Sequence, residues 1–557
     1  MKGRMGELSP NLKNIFVILA VGLIVISPQI FQHGNLMLYT DSVFHLNRFY
    51  DTYMQIKDHN FQPFIMMYGF NSTGRYINVL YGPILAYLNG LLLFILGSYY
   101  KFQLVTNFLV VTSAGLNCLY MLKVGQIKPQ LRLYGSILYM TSYAIFAWVL
   151  NSQFMGVGAA FTPLVIAVGI RMVTQPEQPV KITEMVVAVT ILIQVHVLSA
   201  VLSIIFLLIT FTYAVFQSTI NRKELLQKTG IAAGITIILT INIWLPYIVL
   251  TAQNKLVNPF PYADPQAHTL NWSGAAVLLA SLICILGCAV LFVSVKNVNN
   301  SATKFLGWLG IVILVLASGF FPWNMLFKTF KFLYILQFPF RLAPIAFLLL
   351  IYVGFMTLQE IDLSDTGEKF VIIALRVMVC VTILQGVSVF TAMLSQWNNA
   401  NVDLYSGFMV NKDSNVPFKL QKSFASNDLS QPWRQIAKPV TDYLPATKQM
   451  IAWTDPTASP DTKQDNGQKL ADLYTKVYLN TKFNKQVKHG HIVVTWHQNQ
   501  AEPVTLPIAH YKGTRYVLNN QKLTADQIKT GQAGASVING QAGDNEVKIS
   551  YHFGINS

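Results

Sequence analysis

Asp41, His45 and Arg48 stand at spacings of four and three in the stretch LMLYTDSVFHLNRFYDTY, residues 36–53, with Asp51 three residues further on. If the stretch is helical, those spacings set the first three side chains on one face. A carboxylate so placed can act as general base toward a hydroxyl. An imidazole one turn away can orient it, carry a proton or share a metal with it, and a guanidinium can clamp a phosphate through a bidentate fork. The three groups together suit transfer of a glycosyl unit from a phosphate-linked lipid donor to a hydroxyl acceptor. The same spacing fits an ordinary interfacial segment, in which Asp41 caps a helix while His45 and Arg48 reach toward lipid headgroups.

Three further residues join this set. His196, in QVHVLSA, is polar within a long apolar run, a costly placement that suggests either use or a bond to a neighbouring helix. Arg341, in QFPFRLAP (337–344), lies between Pro339 and Pro344. Two prolines imply a shaped turn at the mouth of a span, where a lipid phosphate can be gripped. Arg75, after GFNSTG, is a candidate second phosphate contact, or a polar residue that keeps its loop soluble. No residues are assigned as metal ligands.

The elements that must position these residues are membrane helices. Hydrophobic residues make up 53% of the 557 positions and charged ones 11%, against roughly a quarter charged in a soluble domain. Apolar runs of spanning length recur from residue 13 to about residue 393. Spans are expected near 13–31, 103–122, 133–150, 157–174, 184–198, 199–217, 229–251, 274–296, 303–320, 340–359 and 369–393, the first of them retained rather than cleaved. The apolar run 79–97 is read as interfacial or re-entrant. If it crossed, the loops carrying Lys123, Lys128 and Arg132, then Arg171 and Lys181, then Arg222, Lys223 and Lys228 would face outward, against the positive-inside rule. About eleven spans follow, in a multi-pass cell-membrane protein with its N-terminus cytoplasmic and residues 32–102 an outer loop. The net charge of +16 is spread through short loops and the tail, which suits anionic lipid and excludes nucleic acid as a partner. No acid falls near the centre of a span, which counts against an ion-coupled carrier. Cys118, Cys284, Cys288 and Cys380 all lie in apolar runs and read as small buried hydrophobes.

From about residue 396 the chain turns polar. HIVVTWHQ, PVTLPIAHY, TRYVLNN, GASVIN and NEVKISYHF alternate or are β-branched and aromatic, with turn residues between them. They predict an extracytoplasmic β-sandwich-like domain over 396–557, preceded by a less regular stretch at 396–470, beside a membrane domain over 1–395. Tyr and Trp of the tail are either core residues or platforms for sugar rings.

DSVFHLNR after the first span, YGPILAYL from residue 81, QFPFR before a late span, DYLP at 442–445 and LPIAHYKG in the tail resemble, in that order, a family of bacterial membrane proteins labelled "6-pyruvoyl-tetrahydropterin synthase related". That family is similar in plan to the C-type glycosyltransferase superfamily, which takes sugars from polyprenyl-phosphate carriers outside the cytoplasm. The resemblance implies that Asp41 is the acid of the first outer loop and that 79–97 is an interfacial helix. Many members of the superfamily show two adjacent acids there. Here Ser42 and Val43 follow Asp41, so a divalent metal stays open and no cofactor is assigned. The label itself implies pterin chemistry on a histidine-held metal, but the one His-x-His is His489 and His491. His497 lies six strand residues from His491, about 20 Å away, too far to share a zinc ion with it. The expectation is a membrane glycosyltransferase with Asp41 as base, His45 as its partner, and Arg48, Arg75, His196 and Arg341 at the substrate. Its partners are membrane lipid, a polyprenyl-phosphate-linked sugar, and an envelope polysaccharide or teichoic acid as acceptor. A translocase or exporter of envelope polymer and a non-catalytic envelope scaffold are the alternatives.

Overall fold

The computed structural model describes residues 10–38, 41–146, 154–217, 219–259, 264–270, 279–295, 300–397, 409–412, 420–455 and 458–551. Among these, six helices are long and apolar enough to cross a membrane: Asn11–Phe31, Tyr99–Val124, Phe154–Thr174, Val197–Phe216, Pro339–Glu360 and Asp365–Ser395. A seventh crossing results if Arg222–Leu239 and Ile241–Gln253, bent by 65° at Thr240, form one broken span. This is a membrane protein, but eleven full spans are not found among the described residues. Expected spans 184–198 and 303–320 correspond to the helices Ile182–Val195 and Ser301–Ala317, of 14 and 17 residues. At 1.5 Å per residue these reach about 21–26 Å, short of a hydrocarbon core of about 30 Å. Within expected span 274–296 the helix Leu279–Ser294 is seen, and 274–278 and 296 lie outside the described residues. Expected span 133–150 yields the 12-residue helix Pro129–Met140, and residues 147–153 lie outside the described residues.

The basic helix ends gather together. Arg171 pairs with Glu184 at 2.7 Å, Gln175 bonds the Val124 carbonyl, and Gln217 bonds the Val173 carbonyl. Phe154–Thr174 therefore ends among Lys123, Lys181 and their neighbours, while its first residue, Phe154, stands roughly 30 Å away at the other end of the helix.

At that other end the helix Ser42–Lys57 is buried on nearly every side although it is rich in polar residues. Most of its buried polar groups find partners, as burial demands. Asp51 accepts from the backbone N–H of Tyr68 (2.6 Å) and Gly69 (2.8 Å) and from Gln55 (2.6 Å). Arg48 donates to Asn78 Oδ1 (2.6 Å) and to the carbonyls of Tyr81 (3.1 Å) and Gly82 (2.6 Å). It thereby fixes the break before the helix Pro83–Leu96, where Gly82 adopts φ 76°. That 14-residue helix, the 79–97 run, lies along Ser42–Lys57. Thr52 donates to the Ala86 carbonyl at 2.8 Å, and a Cβ on Gly90 would stand 2.4 Å from Thr52 Oγ1.

Among the described residues the tail holds ten strands: β1 Val410–Asn411, β2 Ile436–Ala437, β3 Asn484–Lys488, β4 His491–Gln498, β5 Glu502–Ala509, β6 Thr514–Leu518, β7 Gln521–Lys522, β8 Lys529–Thr530, β9 Ala535–Gly540 and β10 Gly543–Tyr551. Two antiparallel sheets, ordered β3-β4-β10-β6-β7 and β5-β9-β8, share one core built from Ile492, Val494, Leu506, Ile508, Tyr516 and Val547. The helix Pro460–Tyr478, which begins inside the stretch 396–470 expected to be less regular, adds Leu470, Tyr474, Val477 and Tyr478 to that core. Those positions recur with helical period. The core also takes in Ile65, Met67, Tyr76 and Val79 of the 32–102 loop, so loop and tail fold as one body. Buried Arg75 ties them, donating to the carbonyls of Val440 (2.7 Å) and Asp442.

Arg48→Met is expected to lower stability by about 2–4 kcal/mol, because three buried acceptors lose their donor. Thermal melting of the detergent-solubilised protein measures it. If Arg48 served chiefly as a phosphate clamp, melting would stay at the wild-type temperature.

Candidate functional site

A cavity of about 420 Å³ opens at the N-terminus of the Ser42–Lys57 helix. Asp41 and His45 line it from the helix start, His196 from the break between Ile182–Val195 and Val197–Phe216, and Arg341 from the turn Pro339–Leu342. Four of the six expected site residues, from three distant stretches, thus converge. Arg48 and Arg75, expected at the phosphate, do not line it. Both are buried and engaged with the backbone carbonyls described above.

Asp41 occupies the N-cap position of its helix, yet its side chain makes no capping bond. Its backbone is already helical, φ −99° and ψ −10°, whereas a capping side chain reaches the second or third N–H from an extended backbone. The carboxylate is left to the cavity, with 44% of the side chain accessible. Desolvation by the surrounding protein pushes the carboxyl above the usual range against the pull of Lys438 and Arg341. Lys438 Nζ lies 3.8 Å from Asp41 Oδ1, beyond hydrogen-bond length.

His45 is packed against Phe154 at a centroid distance of 4.2 Å and beside Phe49 and Tyr81. Burial, followed by the charges of Arg48 and Lys438, holds its pKa well below the ordinary value, so the ring is neutral at physiological pH. Its Nδ1 is buried without a hydrogen-bond partner among the described residues. Snorkelling to headgroups is therefore not what His45 or Arg48 does. His196 accepts the Ser199 N–H at 3.2 Å through Nδ1, which also contacts Ser199 Oγ at 2.7 Å. An accepting Nδ1 puts the proton of the neutral ring on Nε2. The bond lies within the histidine's own helix cap, not to a neighbouring helix. Arg341 donates to the Leu336 carbonyl at 2.9 Å and stacks over Phe338 at 4.6 Å. The shaped turn is real: Gln337 takes φ 55° just before the 3₁₀ turn that carries Arg341.

The remaining wall is apolar. The bend at Thr240 swings Ile241–Gln253 so that Ile243, Trp244 and Tyr247 line the cavity beside Val201 and Ile335. Val201, Tyr247 and Ile335 are also exposed on the protein surface, so the apolar wall runs from the polar cluster outward.

Two residues that line or flank the cavity were not among the expected site residues. Lys438 and Tyr443 come from the tail, about 400 residues from Asp41. Tyr443, at φ 64°, is held by its N–H to the Val257 carbonyl at 2.7 Å; the motif DYLP was the available hint. Among the described residues, no three His, Cys, Asp or Glu side chains converge as a metal site. Asp41 is the one carboxylate among the residues lining the cavity, so the side chains present do not form a metal centre by themselves. In the tail, His497 bonds Asp544 at 2.7 Å across the β4–β10 pair. Trp496, Tyr511 and Tyr516 are core residues.

Compared with known proteins, the chain matches no family model and no curated protein, so the resemblance to the pterin-labelled family rests on its motifs alone. Among solved structures it is similar to the arabinofuranosyltransferase AftD from Mycobacteria, with a TM-score of 0.46 and 15% identity, over 70% of this chain and 27% of that one. The chain thus spans about a quarter of that protein's length. Likeness at this level is too distant to transfer either fold or activity.

Proposed function

We propose that the protein is a membrane glycosyltransferase that moves a sugar from a polyprenyl-phosphate-linked donor to a hydroxyl of a cell-envelope polymer on the extracytoplasmic face. One observation carries this reading: Asp41, His45, His196 and Arg341 meet around one cavity whose apolar wall leads to exposed hydrophobic residues. A polar headgroup pocket with an apolar exit suits a substrate that is part phosphate-sugar and part lipid. The cavity lies at the opposite end of Phe154–Thr174 from the basic helix ends, which supports an outward-facing site under the positive-inside rule.

In this reading Asp41 takes the proton of the acceptor hydroxyl as that oxygen bonds to the anomeric carbon. The bond from that carbon to the phosphate oxygen breaks, and the departing phosphate gains negative charge. Arg341 and the Nε2–H of His196 stabilise that charge, and Lys438 stands close enough to contribute. Neutral His45 orients the reacting groups; it is not poised to carry a positive charge. Arg48 and Arg75 are positioning residues, the first fixing the helix that bears Asp41 and the second fixing the tail segment that bears Lys438 and Tyr443.

Whole-envelope glycan analysis of cells carrying Asp41→Asn, beside a deletion and the wild type at matched protein levels, tests the assignment. The substitution is expected to reproduce the sugar lost in the deletion. Wild-type glycans in Asp41→Asn cells, with an altered deletion, would remove Asp41 from catalysis and favour an exporter or scaffold.

A second measurement reads the electrostatics. Lys438 lowers the Asp41 carboxyl toward its usual range, so Lys438→Met leaves that carboxyl higher. The acid limb of the kcat/KM–pH profile, measured with a synthetic polyprenyl-phosphate sugar, is expected to move to higher pH. An unmoved limb would mean that Asp41 is not the group titrating there.

A further inference from the structure

A second, larger cavity of about 810 Å³ lies between the tail and the far end of the Ser42–Lys57 helix. Tyr53 and Lys57 line it from that helix, Trp433 and Arg434 from the segment before β2, Lys412 from the end of β1, and Lys485 from β3. Among the described residues that line it, four cations, Lys57, Lys412, Arg434 and Lys485, face two acids, Asp58 and Asp428. Asp428 is already occupied by Arg434 at 3.3 Å and by Ser430.

Lys412 and Lys485 are the notable pair. Each is half-buried, and among the described residues neither forms an ion pair. Lys412 donates to the Trp433 carbonyl, and Lys485 donates to the Tyr478 carbonyl at 3.3 Å. An ammonium has three donors, and one neutral carbonyl each does not offset two desolvated like charges. Burial lowers Lys412 to about 8 and Lys485 to about 7, with the charge of Lys412 adding to the fall of Lys485. An anion between them would relieve both the desolvation and the repulsion. Two half-buried aromatic rings in the lining, Tyr53 and Tyr68, fit the flat apolar face of a sugar ring.

The two cavities are joined by common elements. From Asp41 and His45 to Tyr53 and Lys57 the helix advances twelve residues, about 18 Å. The tail segment from Trp433 to Lys438 runs the opposite way, from the second cavity back to the carboxylate.

We propose that this second cavity binds an anionic saccharide, sugar units bearing phosphodiester or carboxylate charge, as the part of the acceptor chain that precedes the hydroxyl presented to Asp41. The binding claim stands on Lys412 and Lys485; its link to an acceptor rests on the glycosyltransferase reading.

The test is isothermal titration of the full-length protein in detergent with three probes of matched length: a sugar-phosphodiester oligomer, an oligouronate and an uncharged oligoglucoside. At least one anionic probe is expected to bind, weakening with salt, and the uncharged probe to bind far more weakly. Binding of one anionic probe alone identifies whether phosphate or carboxylate is the charge recognised. Lys412→Gln/Lys485→Gln is expected to weaken anionic binding at least about tenfold, with Lys412→Arg/Lys485→Arg retaining it. If the double glutamine variant melts early, the single variants carry the comparison. Asp41→Asn is expected to bind as the wild type does, so loss of catalysis and loss of binding are read separately. Equal binding of the uncharged probe, no anionic binding, or undiminished binding in the glutamine variants would overturn the proposal.

Discussion

A polar helix buried on nearly every side must satisfy its own side chains, and Ser42–Lys57 does so by binding backbone from elsewhere. Asp51 holds the backbone at Tyr68 and Gly69, Arg48 holds the turn at Tyr81 and Gly82, and Thr52 holds Ala86. An unmet buried donor or acceptor costs about 1–3 kcal/mol, so these bonds specify where the 32–102 loop runs rather than merely adding stability. The loop in turn presents Ile65, Met67 and Tyr76 to the tail core. One constraint, satisfaction of a buried polar helix, therefore propagates from Ser42–Lys57 through the 32–102 loop to the tail core.

The tail completes the Asp41 site rather than hanging beside it. Arg75 grips the carbonyls of Val440 and Asp442, and residues 254–257 pair with 443–446 through three backbone bonds. That clamp delivers Lys438 to 3.8 Å from Asp41 and sets Tyr443 in the cavity wall. It also couples the site to the bent Ile241–Gln253 helix, because Asn254 and Val257 follow directly from it. A tail that loosened would withdraw a cation from the carboxylate and part of the wall at once.

What the sequence made legible follows from the bilayer. A histidine or arginine in an apolar stretch is conspicuous because its placement is costly, and His196 and Arg341 both reached the cavity. The helix break at His196 was legible for the same reason: Ile182–Val195 ends and Val197–Phe216 begins on either side of it. The bend at Thr240 was not, since threonine bonding back to the Thr236 carbonyl leaves no gap in hydropathy. Arg48 and Arg75 could not be told from phosphate ligands, because spacing assigns a face and not what covers that face. Lys438 was out of reach altogether, its neighbour Asp41 lying 397 positions away. Helix 460–478 was hidden by Gly467 and a polar first half, although its apolar residues keep the helical period.

The Asp41 backbone ties these strands of argument together. A residue at the head of a helix ordinarily uses its carboxylate to meet the free N–H groups behind it. Asp41 instead enters the helix already helical, so its carboxylate forgoes that bond and stays in a desolvated cavity. Lys438 and Arg341 favour its charged form against that desolvation, and both belong to chain segments far away in sequence. The carboxylate is thus held in a state of raised basicity by tertiary structure alone, which is the condition a general base requires. A surface cap would have required none of this surrounding architecture.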